Sequence, residues 1–159
     1  MKSRAVIVAM SLLSLFSACK PTSPPQDKWI VAESRPTDGS VGIFRYTQEK
    51  PKGWQSIPLS EEVSVSWKYE GVLPDDATSK RMDELEDALE TLAVSKDSAL
   101  VLVMTVGGLR EWCFYARDYD DFMRTLNARL SSMPRFPISI DHSHDPEWKY
   151  WDSFVAKLR

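Results

Sequence analysis

The chain has few of the residues on which the common catalytic and nucleotide-binding motifs depend. It contains two cysteines, two histidines and six glycines in 159 residues. A G-x-S-x-G nucleophile elbow does not occur, and the glycine patterns that bind phosphates are also missing. Nucleophilic and nucleotide chemistry therefore have no motif to support them.

A basic patch is missing as well. The chain has 20 basic and 23 acidic residues, which gives a formal net charge of -3. Proteins that bind nucleic acids usually present clustered lysine and arginine to the phosphates. The charge balance therefore argues against a nucleic-acid partner.

No apolar run is long enough to form a membrane-spanning helix, which needs about 20 residues. The longest run covers residues 5–16, and Lys2 and Arg4 precede it. A charged start followed by a short apolar run is typical of an export signal. We therefore predict a signal peptide over residues 1–18.

The end of this segment resembles a bacterial lipoprotein signal, in which small residues precede a cysteine that becomes acylated. Here Ser17 and Ala18 precede Cys19, while Phe16 departs from the usual leucine-like residue. We predict lipidation of Cys19, and the alternative is a soluble secreted protein. Inner-membrane lipoproteins typically carry Asp after the cysteine, so Lys20 favours the outer membrane and a domain facing the periplasm.

A proline-rich tether follows over residues 19–27, and a single domain is expected over residues 28–159. Its clearest unit covers residues 98–130. An apolar strand, 98–105, leads through Gly107 and Gly108 into a second strand, 109–116. Asp118 then serves as the N-cap of a helix with one apolar face.

The remaining elements come from hydrophobic periodicity and turn residues. We predict strands at 29–33, 41–46, 63–70 and 136–141, a helix with Met82, Leu85, Leu89 and Leu92 on one face, and a last helix capped by Asp145. The other positions of the first helix are mostly charged, which indicates a solvent-exposed face. A lone Cys113 in mid-strand is interpreted as a small core residue.

From residue 63 the order is strand, helix, strand, strand, helix, strand, which is typical of a ferredoxin-like split βαβ sandwich. That fold leaves the strand 98–105 at a sheet edge, but this strand is too apolar for an edge. We therefore expect the N-terminal hairpin to cover it. The predicted fold class is a two-layer α+β sandwich with an added N-terminal β-hairpin and a C-terminal helix.

Three sets of residues carry a family resemblance: Thr105 and Gly108 followed by REWCFYARD, the helix around Phe122 and Leu126, and DPEWKYW at 145–151. Together they resemble the bacterial family known as domain of unknown function 695. The resemblance implies one compact α/β domain. It implies no activity, cofactor or catalytic residue.

One cluster has the composition of a metal site. His142 and His144 lie two residues apart, so in an extended chain both imidazoles point the same way. Further spaced ligands are missing, and Asp145 already serves as a helix cap. We therefore predict no metal site and keep the two histidines as the only weak candidates.

A second candidate is the strand that contains Arg110, Glu111, Trp112 and Tyr115. Alternation places Arg110 and Trp112 on one face and Glu111 and Tyr115 on the other. If helices cover one face, the other offers a charged group beside an aromatic ring, as a platform for a small ligand or peptide. Core packing with charged rims is the simpler interpretation.

These observations favour a binding or protein-interaction module of the cell envelope over a hydrolase or metal-dependent enzyme. Its expected partners are the membrane, through the lipid anchor, and an envelope protein or small ligand. No cofactor is predicted. An enzyme should bring Arg110, Glu111 or His142 together in a pocket, whereas a module should show an apolar patch, for example around Trp112 or Trp54.

Overall fold

The computed structural model describes residues 28–35, 39–51 and 58–158. The predicted signal peptide, Cys19 and the tether lie outside these ranges, and so does Trp54. Within the described ranges, no helix has the length and apolar character that crossing a bilayer requires.

The described part of the chain contains six strands and three helices. The strands are β1 (Trp29–Ser34), β2 (Gly42–Thr47), β3 (Glu61–Lys68), β4 (Ser98–Val106), β5 (Leu109–Ala116) and β6 (Ile138–His144). The helices are α1 (Asp76–Ala93), α2 (Tyr119–Leu130) and α3 (Lys149–Leu158). Every predicted element is present.

The strands form one antiparallel sheet in the order β1-β2-β4-β5-β3-β6. The part from β3 to β6 has the connections of a ferredoxin-like sandwich. Strand β2 pairs with β4 from Gly42 opposite Val106 to Tyr46 opposite Leu102. The hairpin therefore covers the apolar strand β4, and the predicted α+β sandwich is confirmed.

The turn between β4 and β5 depends on two glycines. Gly107 and Gly108 have φ angles of 60° and 78°, in the left-handed region that favours glycine. A Cβ on Gly108 would also lie 2.9 Å from the carbonyl oxygen of Tyr69. The predicted tight hairpin is confirmed.

Helices cover both faces of the sheet. We call the face that carries Arg110, Trp112 and Phe114 the front face, and the opposite face the back face. The front core joins β3, β4 and β5 to helices α1 and α2, with Met82, Leu85, Leu89, Phe122 and Leu126 among the buried helical side chains. Trp148, which precedes helix α3, and Trp151 and Val155 of that helix cover part of the back face.

Two boundaries near the carboxyl end differ from the prediction. Strand β6 continues to His144, because it pairs with β3 as far as Glu61 opposite His144. Helix α3 begins at Lys149 rather than directly after its predicted cap, Asp145, since Trp148 has a positive φ of 61°. Asp145 still caps the helix, because its carboxylate accepts hydrogen bonds from the first two helical amides.

Candidate functional site

A carboxylate from α1, Glu86, lies between that helix and the front face of the sheet. Its Oε1 accepts a hydrogen bond from Arg45 of β2. Its Oε2 accepts hydrogen bonds from Arg110 Nη2 at 3.1 Å and from Trp112 Nε1 at 2.9 Å. Because β2 and β5 flank β4 in the sheet, one side chain connects the helix to both strands.

Opposite charges stabilise this network, because Arg45 and Arg110 both pair with the carboxylate of Glu86. Burial raises the pKa of Glu86, but the hydrogen bonds from Arg45 and Trp112 and the charges of both arginines outweigh it and hold the pKa below its usual value. The guanidinium of Arg110 lies 5.3 Å from the ring centroid of Trp112, a cation–π distance. Its Nη1 lies 3.6 Å from Asp83, whose side chain is exposed.

A cleft of about 380 Å³ lies next to this network on the front face. Its polar lining residues are Arg45, Ser79, Thr105 and Arg110. Its apolar lining residues are Ile43, Leu73, Pro74 and Val103. Small-molecule sites are usually concave, with apolar walls and a few polar groups. The volume of this cleft lies within their usual range of roughly 300–1,000 Å³.

An apolar strip continues from the cleft across the front face of the hairpin, and we call it the β1–β2 strip. It consists of Trp29, Val31 and Ile43, all of which are exposed. The register places Val31 opposite Arg45, so strip and cleft share one face. The strip is exposed because the described front core draws on β3, β4 and β5 with α1 and α2, not on the hairpin.

The structure separates the four residues predicted as a ligand face. Arg110 and Trp112 lie on the front face, and Glu111 and Tyr115 lie on the back face, as the alternation predicts. Trp112 and Tyr115 are completely buried, because helices cover both sides of β5. Trp112 is therefore too buried to form the expected apolar patch, and three exposed apolar side chains, Trp29, Val31 and Ile43, lie instead on β1 and β2.

Residues 34–156 match a family described as "Family of unknown function (DUF695)". The chain belongs to this family. No curated protein and no solved structure matches the chain.

The back face of this DUF695 domain carries a second polar group. Ser64 Oγ lies 2.7 Å from Glu62 and 3.3 Å from Glu111, so one hydroxyl bridges two carboxylates. Burial raises the pKa of Glu111, and the charges of Glu62 and Asp141 raise it further, against the hydrogen bonds from Tyr150 and Ser64. Burial beside other carboxylates thus disfavours the charged form of Glu111.

Cys113 belongs to the same face of the DUF695 domain. Its side chain is completely buried, and its Sγ lies 3.5 Å from Glu62. Burial and the nearby carboxylates of Glu62 and Glu111 raise the pKa of the thiol well above its usual value. A thiol held in its protonated form is a poor nucleophile, so the interpretation of Cys113 as a core residue is confirmed.

The two histidines kept as weak metal candidates, His142 and His144, do point the same way, and both contact Glu61. His142 Nε2 lies 2.7 Å from Oε2, and His144 Nδ1 lies 2.6 Å from Oε1. Two ligands of one tetrahedral zinc ion lie about 3.3 Å apart, so these distances indicate direct hydrogen bonds. Tyr119 of α2 stacks on His142 with ring centroids 4.1 Å apart.

The described residues contain no group of three or more His, Cys, Asp or Glu side chains that could hold a metal ion. Burial raises the pKa of Glu61, but the hydrogen bonds from the two histidines and Ser60 outweigh it, so the pKa lies below its usual value. This cluster therefore joins β3, β6 and α2 at the far edge of the sheet.

Sequence reasoning missed Glu86 and Arg45. The charges of α1 were expected to face solvent, but Glu86 follows Met82 by four residues and precedes Leu89 by three, which places it on the buried stripe. The position of Glu86 on the inner side of α1 could therefore have been predicted from this spacing. Arg45 gave no comparable signal, because its partner lies 41 residues away in the chain.

Proposed function

We propose that this DUF695 domain is a binding module of the cell envelope, attached to the outer membrane through a lipid on Cys19 and facing the periplasm. Its binding surface is the β1–β2 strip together with the adjoining cleft. One observation carries the proposal: exposed apolar side chains lie beside a concave site that contains two arginines. Exposed apolar groups that adjoin a polar site are typical of interaction surfaces.

The positions of the titratable groups also favour a module over an enzyme. Arg110 lies beside the front cleft, Glu111 lies on the back face, and His142 contacts Glu61 near the β6 edge. These three groups were the residues expected to converge in an enzyme pocket. Their separation removes the specific reason for the alternative of a hydrolase or metal-dependent enzyme.

The test of the surface uses two matched valine variants. Val31 and Val94 are 69% and 71% exposed, and only Val31 lies on the β1–β2 strip. Val31→Glu places a charge within the strip and should abolish capture of a specific partner from crosslinked envelopes. Val94→Glu adds the same charge at the end of α1 and should leave capture unchanged. Equal capture by both variants would rule out this surface.

The test of the anchor is mass spectrometry of the protein from native membranes. A lipidated Cys19 should carry the mass of its acyl chains, and two or more chains hold a protein stably on a bilayer. Cys19→Ser should release the protein into the soluble fraction. Recovery of the unmodified wild-type chain in the soluble periplasmic fraction would refute the anchor.

A further inference from the structure

The charges that line the front cleft do not cancel. Two guanidinium groups, Arg45 and Arg110, share the single half-buried carboxylate of Glu86. The other nearby acid, Asp83, is exposed and lies 3.6 Å from Arg110, so solvent weakens its effect. Glu86 and Asp83 balance the two arginines in number, but neither acid lines the cleft, so its lining carries two guanidinium groups and complements an anion.

The two arginines retain hydrogen-bonding capacity. Each guanidinium has five N–H donors in a planar fork that matches a carboxylate. The side chain of Arg45 is 38% exposed, so a ligand in the cleft can reach it. Arg110 is 16% exposed, and its buried Nε has no hydrogen-bond partner. The Arg110 guanidinium is thus held mainly through its terminal nitrogens.

The apolar lining of the cleft limits the kind of anion that fits. Ile43 and Val103 come from the sheet and Leu73 from the loop before α1, and Ile43 and Leu73 are exposed. An inorganic anion would leave these side chains in contact with water. A ligand with a hydrocarbon part would cover them, and burial of each CH₂ group contributes roughly 0.8 kcal/mol.

We infer that the cleft binds a small monocarboxylate with an apolar tail. The carboxylate contacts Arg45, supported by Arg110, and the tail packs against Ile43, Leu73 and Val103. This inference rests on the proposed binding function and names the ligand class of its surface. The volume of about 380 Å³ lies near the lower end of the range for small-molecule sites, so the ligand is small.

The experiment compares two probes of equal chain length and opposite charge, hexanoate and hexylammonium. Saturation-transfer difference NMR is recorded with the full chain in a nonionic detergent, together with a protein-free detergent sample. Hexanoate should give a saturable signal, and hexylammonium should give none above the detergent background. A signal of equal strength for both probes, or no saturable hexanoate signal, would overturn the inference.

Three variants locate the site. Arg45→Gln removes a charged donor and should weaken hexanoate binding at least tenfold, the effect of losing one charge-assisted hydrogen bond of about 1.5 kcal/mol. Leu73→Asp adds a negative charge at the lining without altering the Glu86 network, and should weaken binding similarly. Arg124→Gln changes an exposed arginine of α2 and should leave binding unchanged. Unchanged affinity in a folded Leu73→Asp variant would place the probe elsewhere.

The results separate this inference from the proposed function. If hexanoate does not bind but Val31→Glu still abolishes partner capture, the inference fails and the binding surface stands. If hexanoate binds in the cleft but Val31→Glu has no effect on capture, the inference stands and the proposed surface fails.

Discussion

The front network predicts a measurable loss of stability when Glu86 is replaced by Gln. Glu86 is 25% exposed and bonds to two arginines and to the indole N–H of Trp112. A hydrogen bond to a charged group contributes about 1.5–3 kcal/mol, and Gln retains one carbonyl acceptor. We therefore expect the free energy of unfolding to fall by about 2 kcal/mol at pH 7, with a Tm lower by roughly 6 °C.

The pH dependence identifies the charge as the cause. Because the folded-state pKa of Glu86 lies below its ordinary value of 4.5, its stabilisation is complete above that pH and is lost as the pH falls through the folded-state pKa. The difference between wild type and Glu86→Gln in urea denaturation should therefore shrink from pH 7 to pH 3. Glu84→Gln, at an exposed position of the same helix, serves as the control. A difference that stays constant over this range would refute the reasoning.

Four further substitutions test the sheet, its β4–β5 turn and the hydrogen bond between Tyr115 and Asp145, the cap of α3. Leu102→Asp should unfold the domain, because Leu102 is 1% exposed in an interior strand and an unpaired buried charge costs several kcal/mol. Circular dichroism measures the loss of structure, and a variant that melts like wild type would contradict this expectation. Gly108→Ala should lower Tm more than Gly107→Ala, because a Cβ at 108 meets a carbonyl oxygen at 2.9 Å while a Cβ at 107 meets nothing within 4 Å. Equal Tm values for the two variants would show that the positive φ angle alone, and not the close contact, determines the loss of stability. Tyr115→Phe removes the hydroxyl that donates to Asp145 at 2.6 Å and should reduce the free energy of unfolding by about 2 kcal/mol. Urea titrations measure this difference, and an unchanged free energy of unfolding would mean that the hydrogen bond contributes nothing to stability.

The candidate site was only partly predictable. Alternation in β5 placed Arg110 and Trp112 on one face, and the spacing of α1 could have identified Glu86 as a buried position. The pairing of Glu86 with Arg45 was not predictable, because it depends on where the N-terminal hairpin joins the sheet. The exposure of Val31 depends on the same event, since the described front core includes no residue of the hairpin.

Several features of the fold follow from local chemistry along the chain. Two glycines with positive φ make the β4–β5 turn, Asp118 caps α2 by accepting from the Asp121 amide, and apolar residues in β4 require an interior strand. Each of these signals acts within a few residues and needs no knowledge of the rest of the fold. They were sufficient for the order of elements and for the α+β class.

The contacts across the sheet were set by the packing of the complete tertiary structure. It placed α3 against Tyr115, continued β6 to His144 so that both histidines reach Glu61, and enclosed Trp112 beneath α1. Each of these contacts joins residues that lie far apart in the chain. Periodicity shows which side chains share a face of one strand or helix, but the element that covers that face is set by the packing of the whole domain.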